Sequence, residues 1–254
     1  ALHEDAGSGA LAAGRYRSAV ERFESAGAPT ADARYRLGRA MITSGMPQEA
    51  VDALHEVLQE ETAAEVPAGS RAITVGLLAR AYEGADDYGN AVGAWGFAAD
   101  LHEEAGEVDG QAHALVQQGR HLGNFGEFDD AVTAVNTAIG LIRGQEEQVG
   151  LQAEALHLLA QAKMQRGDED AFDVIDEALA LGRANEAHWY VADVTDTRAR
   201  LLAARGRTDE AVATALQAAD GFAAAGDAGS GGLGAPRGAP AGGRRALGRR
   251  CRAL

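Results

Sequence analysis

The sequence predicts an all-α protein, an α–α solenoid of about six antiparallel helix pairs. Three observations predict it. First, a turn-and-helix grammar recurs: a glycine, an aromatic two residues on, an alanine five residues on, as in Gly126-Glu-Phe128-Asp-Asp-Ala131 and Gly14-Arg-Tyr16-Arg-Ser-Ala19. Second, the alanines of that grammar, Ala19, Ala50, Ala91, Ala131, Ala171 and Ala211, are separated by 31, 41, 40, 40 and 40 residues, and a fixed period of this size marks a repeat architecture. Third, a small residue stands seven before most turns, namely Gly7, Gly38, Gly119, Ala160 and Ala199, with Ala79 as the equivalent in the third unit. Paired helices approach closely only where side chains are small.

The units follow in order. Residues 1–13 are expected to form the first helix of the opening pair, frayed by Gly7 and Gly9, since an interior glycine costs about 1 kcal/mol against alanine. Gly14 is expected to turn the chain into a partner helix that ends at Gly27-Ala-Pro29. Thr30 is expected to cap a helix running to Ser44. Pro47 suits the first turn of the next helix, which reaches about Glu60 and is followed by a linker, 61–67. Helices are then expected at 68–84 and 87–104, at 108–125 and 127–143, at 146–166 and 168–183, and at 185–205 and 208–224. Asp129 and Asp130 fall in a first turn, where carboxylates complement free amides. Large residues four after each alanine, Phe23, Leu54, Trp95, Val135 and Ile175, are expected to fill space beside the close contact, with Ala215 leaving a gap.

The pattern resembles the tetratricopeptide repeat (TPR) family, in a long-period variant and over residues 1–226. Leu37-Gly38, Gly14-x-Tyr16, Ala19, Phe23 and Ala26 match its consensus. The resemblance implies a right-handed superhelix whose first helices line a concave surface. Armadillo and HEAT solenoids, with periods of about 40–47, fit the spacing better, whereas the Gly-x-aromatic-x-x-Ala turn favours the TPR reading.

Composition bounds the function. The chain carries 23 basic and 38 acidic residues, a net charge of −15. Residues 229–254 hold six arginines and no acid, so the remainder carries 17 basic against 38 acidic residues, or −21. A body this acidic repels nucleic acid and anionic lipid, so no nucleic acid and no membrane is expected as a partner of the repeat array. The segment 227–254, rich in Gly, Ala and Arg, has too few large apolar side chains to offset ordering entropy and is expected to be a disordered tail. Its codon bias fits an out-of-frame reading of a GC-rich gene. The chain begins without methionine, in keeping with processing or with an internal fragment. The single cysteine, Cys251, requires no oxidising compartment, which makes the cytoplasm the default.

No residue constellation supports an enzyme. The seven histidines form no His-Glu-x-x-His pair, one cysteine excludes a structural zinc cluster, and no cofactor or metal is expected. The acids Asp168-Glu-Asp170 start a helix. The glycines at 229–234 lack the strand that a dinucleotide loop requires.

One register does suggest binding. Directly after the small residue of the first helix in units two to six stand Arg39, Arg80, Arg120 and Arg200, with Gln161 in the fifth unit. His113 and His157 lie seven and four residues earlier on the faces of Arg120 and Gln161. By the resemblance, these positions face the concave groove. Guanidinium groups there suit the carboxylates of an extended peptide or protein partner. The competing reading pairs the arginines with nearby acids such as Asp32, Glu83, Asp193 and Asp196. The Asn and Lys positions with which the family clamps chaperone tails are absent. The expected function is a protein–protein interaction scaffold. The alternative is a sensor or autoinhibitory segment of a larger bacterial regulator. Exposed terminal repeats are also compatible with self-association.

Overall fold

The structure is a computed structural model that describes residues 2–227, with side chains from Gly9 to Gly226. The expected tail, 227–254, lies outside these residues but for the backbone of Asp227. Among the described residues there are eleven α-helices and no strand: α1 Leu2–Ser25, α2 Ala31–Thr43, α3 Pro47–Ala63, α4 Ala68–Gly84, α5 Tyr88–Ala105, α6 Val108–Phe125, α7 Phe128–Ile142, α8 Val149–Arg166, α9 Ala171–Ala184, α10 His188–Ala204 and α11 Thr208–Asp227. A single 3-10 turn, Glu146–Gln148, precedes α8. No described helix is long and apolar enough to cross a membrane.

Two compact units divide the chain, one reaching Val174 and the other starting at Ile175. In the first, α2 packs on α3, α4 on α5 and α6 on α7, and successive pairs join through α3–α4, α5–α6 and α7–α8. First helices also touch one another, α2 with α4 and α6 with α8. In the second unit α10 packs on α11.

The close contacts fall where the small residues stand. A β-carbon built on Gly38 would lie 2.7 Å from Cγ of Leu54, and one on Gly119 would lie 2.4 Å from Cγ2 of Val135. Ala79, Ala160 and Ala199 are buried, as are Ala50, Ala91, Ala131, Ala171 and Ala211. Leu54, Trp95, Val135 and Ile175 are buried too, whereas Ala215 is exposed. Leu37, Met41, Leu77 and Leu78 complete one apolar cluster around Leu54; Val75, Ala98 and Leu101 complete another around Trp95.

Nine helix ends close alike. The amide N–H donors of Ala28, Met46, Val66, Asp87, Glu107, Glu127, Asp168, Ala187 and Arg207 each bond the carbonyl five residues back, at 2.9–3.0 Å. The residue before each donor is left-handed. Six of these are glycines (Gly27, Gly45, Gly106, Gly126, Gly167, Gly206), and three are Glu65, Asp86 and Glu186, with φ of 53°, 58° and 51°. This is the Schellman closure, which satisfies carbonyls that a helix end leaves free.

The opening unit departs from expectation. Gly14 does not turn: α1 runs through it without a break, so one long helix stands where a helix pair was expected. Gly9, Ala13, Tyr16 and Val20, spaced by four, three and four, form one stripe that crosses position 14, and Ala13, Tyr16 and Val20 pack into the cluster around α2. A stripe along a single neighbour demands a continuous helix. The backbone is therefore helical where fraying was expected. Phe23, expected to fill interior space, is 44% exposed, because no pair partner covers it. Thr30 sits at the start of α2 but makes no side-chain cap. Its hydroxyl donates instead to Glu60 Oε1 at 2.6 Å. Nearby, Arg34 pairs with Glu24 at 2.7 Å, with Glu56 at 2.8 Å and with Glu60, and so ties α2 to both α1 and α3.

Candidate functional site

The first helices of the first unit share a face, and that face carries a cleft of about 270 Å³. Tyr35 of α2, Ile73, Gly76 and Arg80 of α4, Trp95 of α5 and His113 of α6 are among the residues that bound it. The cleft opens because Gly76 has no side chain; a β-carbon there would sit 3.4 Å from Cζ3 of Trp95. Trp95 is held from below, its indole N–H donating to Glu83 Oε1 at 2.6 Å. The same oxygen lies 2.7 Å from Nε2 of buried His121. His113 meets the edge of Trp95 with ring centroids 5.7 Å apart and planes at 72°. Ile73 is 56% exposed at the mouth.

Burial pushes the His113 pKa below the ordinary imidazole value. Glu154 opposes that shift, while Arg80, His102 and Arg120 add to it by like charge. The cleft therefore sets an imidazole that resists protonation beside a permanent cation.

The predicted arginine ladder divides. Arg39 and Arg80 are exposed and make no ion pair with a described residue. Arg120 is paired with Glu154 of α8. The Gln117 amide donates to the same oxygen at 3.2 Å. Gln161 Nε2 lies 2.9 Å from Nε2 of His157, one turn away on α8. Arg200, in the second unit, pairs with Asp196 at 2.5 Å. Of the acids considered as competing partners, Asp196 is used. Glu83 instead binds Trp95 and His121, and Asp32 binds Arg36 at 3.0 Å.

Sequence reasoning missed Tyr35, Ile73, Gly76 and Glu154. A signal for them existed. The positions seven before the ladder residue are Asp32, Ile73, His113, Glu154 and Asp193, and those four before are Tyr35, Gly76, Val116, His157 and Asp196. Reading both positions in every unit, rather than at the histidines alone, picks out Tyr35, Ile73, Gly76 and Glu154. The cleft itself needed Trp95 and Gly76 to be known neighbours, which spacing within one helix cannot show.

No family model and no curated protein sequence matches the chain. Solved structures do. BtubC (BKLC) from P. vanneervenii superposes with a TM-score of 0.69 at 18% identity, over 94% of this chain and 96% of that one. Two crystal structures of nearly identical TPR-like repeats, from a protein assigned as a kinesin light chain of Podosopora anserina, give TM-scores of 0.65 and 0.63 at 20% identity. They cover 77% and 76% of this chain, and 96% and 95% of their own. The fold is thus all-α and TPR-like.

Proposed function

We propose that the protein is an interaction scaffold, and that the first helices of its first unit hold an extended, carboxylate-bearing segment of a protein partner. The observation that carries this reading is Arg80. It is a charged guanidinium without an acidic partner among the described residues, at the rim of an open cleft whose floor is aromatic and whose lip is the exposed Ile73. A bare cation beside exposed apolar surface suits a ligand that brings both an acid and a side chain. Arg39 occupies the same register one pair earlier and extends the run. Arg120 already has Glu154, so it fixes α6 to α8 rather than meeting the ligand. Gln117, Gln161 and His157 offer hydrogen-bonding groups further along. Arg200 belongs to the second unit and is not required. The reading is one of binding, with no reaction assigned and no cofactor invoked.

A display library of short extended peptides, panned on the full chain, tests it. Acid-bearing peptides should be enriched, and their binding should weaken with salt. Arg39→Ala with Arg80→Ala should abolish that enrichment while circular dichroism stays unchanged. Enrichment that ignores both substitutions would exclude the groove.

A further inference from the structure

His113 stands in the wall of the α4–α6 cleft, open to whatever enters it. The residue is exposed, its one ring contact is the edge of Trp95, and neither ring nitrogen bonds a described residue. The charges that act on it come from every side. Arg80 of α4, His102 of α5 and Arg120 of its own helix oppose a proton on the ring, and Glu154 of α8 favours one.

The acids around the ring are engaged elsewhere. Glu154 holds Arg120 and the Gln117 amide. Glu107 lies 2.8 Å from Nδ1 of His102. Glu83 accepts from Trp95 and meets His121. Asp109, one turn before His113 on α6, is exposed to water, which screens it. Tyr35 of α2 bounds the cleft with a hydroxyl. A proton on this ring would therefore sit beside Arg80 with no anion to share.

A ligand carboxylate changes that balance. Its two oxygens can accept from Arg80 on one side and from a ring N–H on the other. Covering the ring favours its neutral form, but a charge-assisted hydrogen bond at contact outweighs the further loss of solvent.

We infer that the cleft takes up a proton with its ligand: a carboxylate held by Arg80 is met by His113 as imidazolium, so binding strengthens as pH falls below neutrality. This rests on the groove reading above and adds its regulation. The coupling is reciprocal, since the ligand favours the proton as much as the proton favours the ligand. A glutamate on the partner stays ionised throughout, its ordinary pKa being about 4.3. An uncharged side chain in the same cleft gains nothing from the proton.

Two capped six-residue peptides of alanine and leucine serve as probes of the full chain, one with a central glutamate and one with glutamine in its place. Calorimetry at pH 5.5, 6.5 and 7.5, in two buffers of different ionisation heat, reads affinity and proton uptake together. The glutamate peptide should bind more than about five-fold tighter at pH 5.5 than at pH 7.5, with net proton uptake at pH 6.5. The glutamine peptide should show neither effect. His113→Gln should remove the uptake, whereas His55→Gln should keep it, because His55 lies on α3 against Tyr82 and outside the cleft. A glutamate peptide that binds equally at all three pH values, without proton uptake, would overturn the inference and leave the groove standing. Uptake that persists in His113→Gln, or that the glutamine peptide shares, would overturn it as well. A glutamate peptide that binds at no pH removes the groove reading and the inference together. Should His113→Gln impair binding or folding, the two peptides on the unaltered chain decide.

Discussion

Gly119 and Val135 are in contact at a place where no side chain fits between their helices. A β-carbon on Gly119 would lie 2.4 Å from Val135 Cγ2 and 3.4 Å from the Ala131 carbonyl oxygen. Val135 is 1% exposed and branched at Cβ, so it cannot swing away.

Gly119→Ala should accordingly destabilise the protein. Overpacking costs about 1–3 kcal/mol. Better helix propensity returns about 1 kcal/mol. The net loss should be about 1–2 kcal/mol, read as a lower urea midpoint. Gly14→Ala should do the reverse. Gly14 is helical, and a β-carbon at that position would have no neighbour within 4 Å. A gain of about 0.5–1 kcal/mol is expected. A loss at that position would mean that the chain turns there in solution.

The shared helix closures predict a second pair of opposite effects. Glu186 is exposed and left-handed, with φ of 51°. Replacing it by glycine should stabilise by about 0.5–1 kcal/mol, because the strain of a left-handed side-chain residue exceeds the entropy a glycine loses. Gly126→Ala, at φ of 82°, should cost about 1 kcal/mol. Thermal melting of the two variants checks both signs.

His113 should impose a pH dependence. Its folded pKa is lowered, chiefly by burial, so the unfolded chain binds its proton more readily. Stability should then be fully present above the ordinary histidine value of about 6.5 and should fall as pH drops below it, until the lowered folded value is reached. Comparing the pH profile of the melting temperature with that of His113→Gln isolates this share, which should be missing from the variant.

Arg34 should matter more than a surface arginine. It is largely buried and meets Glu24, Glu56 and Glu60 from two neighbouring helices. Arg34→Ala leaves three carboxylates close together without a counter-ion and should cost about 1–3 kcal/mol. Arg36→Ala, whose exposed arginine pairs with exposed Asp32 one turn away, should leave the urea midpoint nearly unchanged.

Most of the fold was legible because its determinants are local and repeated. Helix α4 runs from Ala68 to Gly84 and α6 from Val108 to Phe125, the bounds that the pattern predicts. Gly106 shows the same closure as Gly126 although it joins neighbouring pairs, so one grammar serves both kinds of turn. Gly14 misled because a glycine permits a left-handed turn without enforcing one. What decides is whether a neighbour rewards the straight or the folded course, and α2 rewards the straight one. The groove was legible in part. Register placed Arg39, Arg80 and Arg120 at equivalent positions, yet which arginine keeps a free charge depends on Glu154, an acid on another helix some 34 residues away. Local sequence carries no information about that choice.

The edge of Trp95 against His113 has a practical consequence. The chain holds two tryptophans, one in each compact unit, Trp95 and Trp189. With Trp189→Phe, the remaining indole emission comes from the floor of the cleft alone. Its intensity and wavelength then report, without any added label, both the titration of the adjacent imidazole and the arrival of a ligand above it.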